Sequence, residues 1–161
     1  MRCLARVVFL LFVAAALGSC RKPQEPAPDL VSRAYDGEPD WNDATHVIPL
    51  NYTQAQGKRL FYTYCVWCHA DSTPAGPSNR SNLTPSPALA NDGATLNAMS
   101  DELLRNTITL GGSAMGKSAM MPPWGRTLSQ KDVDALIAFM RAIAQPPYTA
   151  PARPGPQYNV K

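Results

Sequence analysis

The sequence predicts a small, mainly α domain of about three helices, flanked by extended Pro-rich tails. Three observations carry this reading. Apolar residues recur at helical spacing in three stretches, each started or stopped by a capping or breaking residue. All 16 prolines fall outside those stretches, and many of them gather toward the two ends of the mature chain. The long span 70–99 has no convincing periodicity and is rich in Pro, Ser and Asn, so something other than regular structure must complete the core there.

The chain begins with a leader, residues 1–19. Arg2 and Arg6 make a basic start, and the run from Val7 to Leu17 is almost unbroken apolar sequence. A bilayer span needs ~20 such residues, so this run is too short to cross but fits the apolar region of a signal peptide. It ends in Leu17-Gly18-Ser19-Cys20, which resembles a bacterial lipoprotein cleavage box and implies that Cys20 becomes the lipidated first residue. The alternative is an ordinary signal peptide cut near Gly18 or Ser19, which leaves a thiol with no partner. Cysteine usage favours lipidation. Of the four cysteines, Cys3 leaves with the leader, Cys65 and Cys68 belong to the motif described below, and only an anchor accounts for Cys20. Acyl chains there hold a protein to a membrane without a spanning helix. The expected location is the periplasmic side of a bacterial membrane.

Residues 20–50 follow, with Pro23, Pro26, Pro28, Pro39 and Pro49 among acidic and small residues. That composition predicts a flexible tether reaching at most ~100 Å when stretched. Residues 51–145 form the predicted domain. Its first helix spans about 53–64 and sets Gly57, Leu60, Phe61 and Tyr64 on one face. A second helix starts after Ser100, a good N-cap, and ends near Thr109 before Gly111-Gly112. A third begins at Ser129, with Asp132 in a capping-box-like position, and carries Val133, Leu136, Ile137, Met140 and Ile143 as an apolar stripe. Residues 146–161 make a second Pro-rich tail.

Between the first helix and the aperiodic span lies Cys65-Val66-Trp67-Cys68-His69, the Cys-x-x-Cys-His pattern of covalent haem attachment. The spacing has a mechanical reason. Two thiols three residues apart share one side of a helical turn and reach both vinyl groups of one porphyrin. The following His69 then offers an imidazole nitrogen to the iron. A bare Cys-x-x-Cys also suits zinc or a dithiol redox pair. Zinc needs further ligands, and no Cys or His follows His69. A dithiol pair has no use for the adjacent His. One haem c, attached through Cys65 and Cys68, is the expected cofactor, and the flat apolar disc supplies the core that the span 70–99 lacks.

At this point residues 53–144 resemble a class I cytochrome c. Gly57 and Phe61 match the Gly and aromatic of that family's first helix, and Phe139 matches the aromatic of its last helix. The segment Met120-Met121-Pro122-Pro123-Trp124-Gly125 matches its Met-Pro loop. The resemblance implies a class I cytochrome c fold of about three helices around one covalently bound haem. It also implies Met121 as the sixth iron ligand, with Met120 the alternative. Chemistry supports a Met: a soft, neutral thioether favours Fe(II) and raises the potential. At least one of Met115 and Met120 is expected to fill gaps around the porphyrin. Pro122 and Pro123 stiffen the approach of the ligand. By the same resemblance the Pro77 carbonyl is expected to take the hydrogen bond from the other nitrogen of His69. His46 is a rival axial ligand, set in the tether and expected to be solvated. Trp67 and Trp124 are candidates to pack on the haem or to donate an indole N–H to a propionate. Arg80 and Arg126 are candidate propionate partners.

Charge argues for no nucleic-acid partner. Loss of Arg2 and Arg6 leaves 13 basic residues against 12 acidic, and two propionates bring the balance to about −1. Three function classes remain. The leading one is a membrane-anchored electron carrier with protein redox partners, acting as a shuttle or as a subunit of a respiratory or photosynthetic complex. The others are a haem enzyme, such as a peroxidase or dehydrogenase, and a haem-based sensor with a labile sixth ligand.

Overall fold

A computed structural model of the chain describes residues 37–150. The leader, Cys20 and the outer part of each tail lie outside the described residues. Each expected helix is present. Helix α1 (Tyr52–Tyr64) is capped by Asn51, whose side chain accepts from the Gln54 N–H at 3.0 Å while the Gln54 side chain accepts from the Asn51 N–H at 2.9 Å. This reciprocal pair satisfies two donors that a helix start leaves open. It runs without a break into a short turn, α2 (Val66–His69), because Cys65 both ends one helix and begins the next.

The span 70–99 holds only short pieces. Strands β3 (Ser72–Thr73) and β4 (Gly76–Pro77) pair antiparallel, a 3₁₀ turn covers Arg80–Asn82, and helix α3 (Gly93–Leu96) is capped by Asp92. Four residues are too few to show a period, so α3 left no signal in the apolar pattern. Helix α4 (Asp101–Leu110) starts at Ser100, whose hydroxyl accepts from Leu103 N–H at 3.1 Å, and stops at Gly111. Helix α5 (Gln130–Ile143) opens with the Ser129–Asp132 box.

The core forms where α1 crosses α5. Gly57 makes the crossing possible: a Cβ there would overlap the Ala135 carbonyl and approach the Phe139 Cβ to 2.8 Å. With the backbones this close, Phe61 and Phe139 are 1% and 0% exposed, and their rings lie 5.5 Å apart in a tilted pair. Each such ring contributes roughly 1.5–3 kcal/mol by leaving water. Leu136 and Val133 complete the same layer. Arg105 joins α4 to α5 through Asp134 at 2.8 Å, and Arg141 joins α5 to Asp101 at 2.8 Å.

Two boundaries differ from expectation. Residues 37–50, read as tether, are folded. Strands β1 (Gly37–Pro39) and β2 (Val47–Pro49) pair antiparallel, and Trp41, Ile48 and Leu50 pack on the core. The reason is Glu38, fully buried, which ion-pairs with Lys58 Nζ at 2.9 Å and accepts from Tyr62 OH at 2.6 Å and Trp41 Nε1 at 2.8 Å. Burial and the Glu38 carboxylate together raise the Tyr62 hydroxyl above its ordinary pKa. A segment whose composition suits a tether is thus fastened to α1 by one carboxylate. The C-terminal tail also starts later than residue 146. The Pro146 carbonyl accepts from Asn97 Nδ2 at 2.8 Å, and the Tyr148 ring stacks under the Arg141 guanidinium at 4.0 Å.

Candidate functional site

The end of α1, α2, the loop 83–90, α3, α4, the Met-Pro segment and one face of α5 enclose a cavity of about 420 Å³. Its lining is almost wholly apolar, and Lys117 is the one Lys, Arg, Asp or Glu among its residues. Cys65, Cys68 and His69 sit on this lining, placed by the helical turn. Cys65 N–H donates to the Phe61 carbonyl at 2.8 Å, and Cys68 and His69 N–H both donate to the Cys65 carbonyl, at 3.1 and 2.9 Å. The turn therefore carries both thiols and the imidazole to the cavity together.

Burial pushes the Cys65 thiol up to about 12, and the neighbouring Cys68 adds to the shift. A dithiol redox pair needs the opposite, a thiol made acidic by its surroundings. Among the described residues no group of three or more His, Cys, Asp or Glu side chains gathers to hold a metal ion.

His69 is held by two straps. Its Nδ1 donates to the Ala88 carbonyl at 2.8 Å, and its own carbonyl accepts from Ala90 N–H at 2.9 Å. A carbonyl can only accept, so Nδ1 carries the proton and Nε2 keeps the lone pair that an iron requires. Burial pulls the imidazole pKa below its ordinary value and favours this neutral form; the Ala88 bond works against the shift and the nearby Arg80 cation adds to it. The expected acceptor, Pro77, is corrected by this contact. Pro77 is paired with Ser72 in the β3–β4 ladder and does not line the cavity. Backbone carbonyls carry no side-chain signature, and only the prolines at 85 and 87 hinted that a fixed loop lies there.

The Met-Pro segment is folded back onto the end of α4. Gly112 N–H donates to the Met121 carbonyl at 2.9 Å, and Trp124 and Gly125 N–H donate to the Ile108 and Thr109 carbonyls, each at 3.0 Å. Gly111 has φ +80°, and a Cβ there would meet Pro123 N at 2.8 Å, so this reversal requires glycine. Met121 is half-buried against the core, whereas Met120 touches the cavity but is 63% exposed.

The remaining candidates are distributed as follows. Trp124 lines the cavity with its ring 5.3 Å from that of Tyr64. Trp67, 54% exposed, faces solvent rather than the cavity. His46 lies on the surface with Nδ1 3.3 Å from Asp40 and is absent from the lining, as is the exposed Arg126. Arg80 is engaged by Asp71 and by the Pro87 carbonyl. Lys117 was missed by sequence reasoning, because one lysine in a polar loop has no pattern to single it out.

The residues present fit a covalently held haem. An apolar cleft would take the porphyrin faces, the two thiols would attach it, and a neutral imidazole would offer Nε2 to the iron. Comparison with known families agrees. The model of the family "Cytochrome C oxidase, cbb3-type, subunit III" matches residues 53–140, more than half of the chain, and the chain belongs to that family. It is a monohaem c-type cytochrome with covalently bound haem c, and its work is electron transfer. No curated protein and no solved structure gives a significant match to the chain.

Proposed function

We propose that this member of the cbb3-type subunit III family is a lipid-anchored, non-enzymatic electron carrier on the periplasmic side of a bacterial membrane. It passes single electrons between protein partners, as a shuttle or as a fixed subunit of a respiratory or photosynthetic complex. The observation that carries the reading is the cavity. One apolar lining holds Cys65, Cys68, His69 and Met121, brought together from α2 and from the loop after α4.

Haem supplies a one-electron Fe(III)/Fe(II) couple when bound. The chain's own residues prepare for it. Cys65 and Cys68 hold the porphyrin, the Ala88 carbonyl fixes the His69 tautomer, and the Gly112–Met121 hydrogen bond holds the thioether beside the cleft. Phe61, Leu104, Ile108 and Leu136 exclude water, so little has to reorganise when charge changes. Lys117, the one cationic side chain on the lining, would be the partner for a propionate. Trp67 between the cysteines and Met120 at the rim leave apolar surface open beside the cleft, which suits transient contact with a protein partner.

Cys20 supports the anchor. Held at one end, the domain searches a limited volume and raises its effective concentration at neighbouring complexes. The folded hairpin at residues 37–50 takes that stretch out of the expected tether.

The test is the absorbance of the reduced protein with and without carbon monoxide. An unchanged spectrum supports a closed six-coordinate iron and the carrier reading. A ready carbonyl spectrum would overturn it in favour of a sensor or enzyme with an open site.

A further inference from the structure

Arg80 entered as a candidate propionate partner, and the structure employs it elsewhere. Its Nε donates to the Pro87 carbonyl at 2.8 Å and its Nη1 pairs with Asp71 at 3.1 Å. Asp71 is two residues past His69 on the chain leaving α2. Pro87 is one residue before Ala88, whose carbonyl takes the His69 Nδ1 proton. One guanidinium therefore spans both ends of the arc that leaves the imidazole and returns to it. The Arg80 carbonyl in turn accepts from Ser86 Oγ at 3.3 Å, which closes the same loop from the other side.

We infer that Arg80 is a positioning residue for the haem iron: by holding the Pro87 carbonyl it sets the direction and strength of the His69–Ala88 hydrogen bond. This rests on the reading of His69 as an axial ligand. The physical route is short. Pro87 has no N–H to anchor it and its φ is set by its ring, so the peptide between Pro87 and Ala88 turns chiefly about ψ of Pro87. Fixing the Pro87 oxygen fixes that peptide plane, and with it the carbon from which the Ala88 carbonyl projects. A well-aligned acceptor makes Nδ1–H more polarised and Nε2 a stronger donor, which favours Fe(III). The planar fork of arginine suits the task, since one face reaches a carboxylate while Nε reaches a carbonyl at a set angle.

The test uses the covalently loaded, reduced protein, in which a six-coordinate low-spin Fe(II) would be diamagnetic. Arg80→Leu combined with Asp71→Asn removes one positive and one negative charge together, so the net charge near the iron is unchanged. The expected result is that the His69 Nδ1–H exchanges with solvent about tenfold faster, as for a hydrogen bond weakened by about 1.4 kcal/mol. The reduction potential is expected to rise. Asp71→Asn alone leaves the Pro87 contact in place and is expected to speed the exchange less than the double variant does.

Equal exchange and equal potential in the double variant would overturn the inference, even if the protein were less stable. So would a lowered potential, or an acceleration by Asp71→Asn alone as large as that of the double variant. Where the double variant fails to mature, the natural protein decides: an Arg80 Nε–H exchanging as fast as a free guanidinium removes the contact on which the role depends. His69 ring protons lacking the shift of a haem-bound imidazole would overturn the ligand reading and this role together. A normal shift with an unresponsive Nδ1–H sinks the Arg80 role alone.

Discussion

Gly112 N–H donates to the Met121 carbonyl at 2.9 Å, which fastens the Met-Pro segment to the end of the second long helix. Met121, which lines the cavity, is thus placed by backbone hydrogen bonding as well as by packing of its side chain against the core. The residue before, Gly111, makes the reversal with φ +80°, where any side chain would also press on Pro123.

Met121→Ala should lower the reduction potential and open the sixth position to carbon monoxide, because the soft thioether that favours Fe(II) is gone. An unchanged potential would move the assignment to Met120, which also lines the cavity. Gly111→Ala should destabilise the fold by ~1–3 kcal/mol, the usual cost of a strained backbone conformation. It should also make carbon monoxide binding detectable by displacing Met121, read by optical titration alongside thermal unfolding.

Glu38→Gln should cost about 3 kcal/mol or more, since it removes the buried carboxylate with which Lys58 ion-pairs. Denaturant unfolding measures the loss. The haem spectrum of the folded variant should match that of the natural protein, because neither Glu38 nor Lys58 lines the cavity.

Acid should loosen the start of the last helix. Hydrogen bonds from the Ser129 hydroxyl and backbone N–H, at 2.6 and 2.8 Å, hold the Asp132 carboxyl below its ordinary pKa of 3.8. A carboxylate depressed in the folded state adds stability that is complete above the unfolded value and is lost as pH falls through the folded one. The window therefore lies below about pH 4. Ser129→Ala should cost ~1 kcal/mol at neutral pH and return the Asp132 titration toward 3.8, followed by NMR.

Cys20→Ala should release the protein from membranes into the soluble periplasmic fraction. Retention of the variant at high salt in detergent-free buffer would mean that a partner complex, and not lipid, holds it.

What the chain determined by itself was local. Ser100 before Asp101, Ser129 before Gln130 and the stripe from Val133 to Ile143 marked two helices because caps and 3.6-residue periodicity act within a few residues. Cys65, Cys68 and His69 were legible for the same reason, since one helical turn sets their spacing. The tertiary structure decided the rest. The β1–β2 hairpin is folded rather than free because Glu38 meets Lys58 and Tyr62, which lie twenty or more residues further along the chain. The His69 proton goes to Ala88 and not to Pro77 because the loop 83–90 returns across the imidazole, while Pro77 is turned into a small ladder with Ser72. Lys117 reaches the cavity only because Gly111 and Gly112 reverse the chain after the second long helix. Each of these rests on a single acceptor, charge or turn meeting a distant partner, and composition and periodicity carry no record of who that partner is.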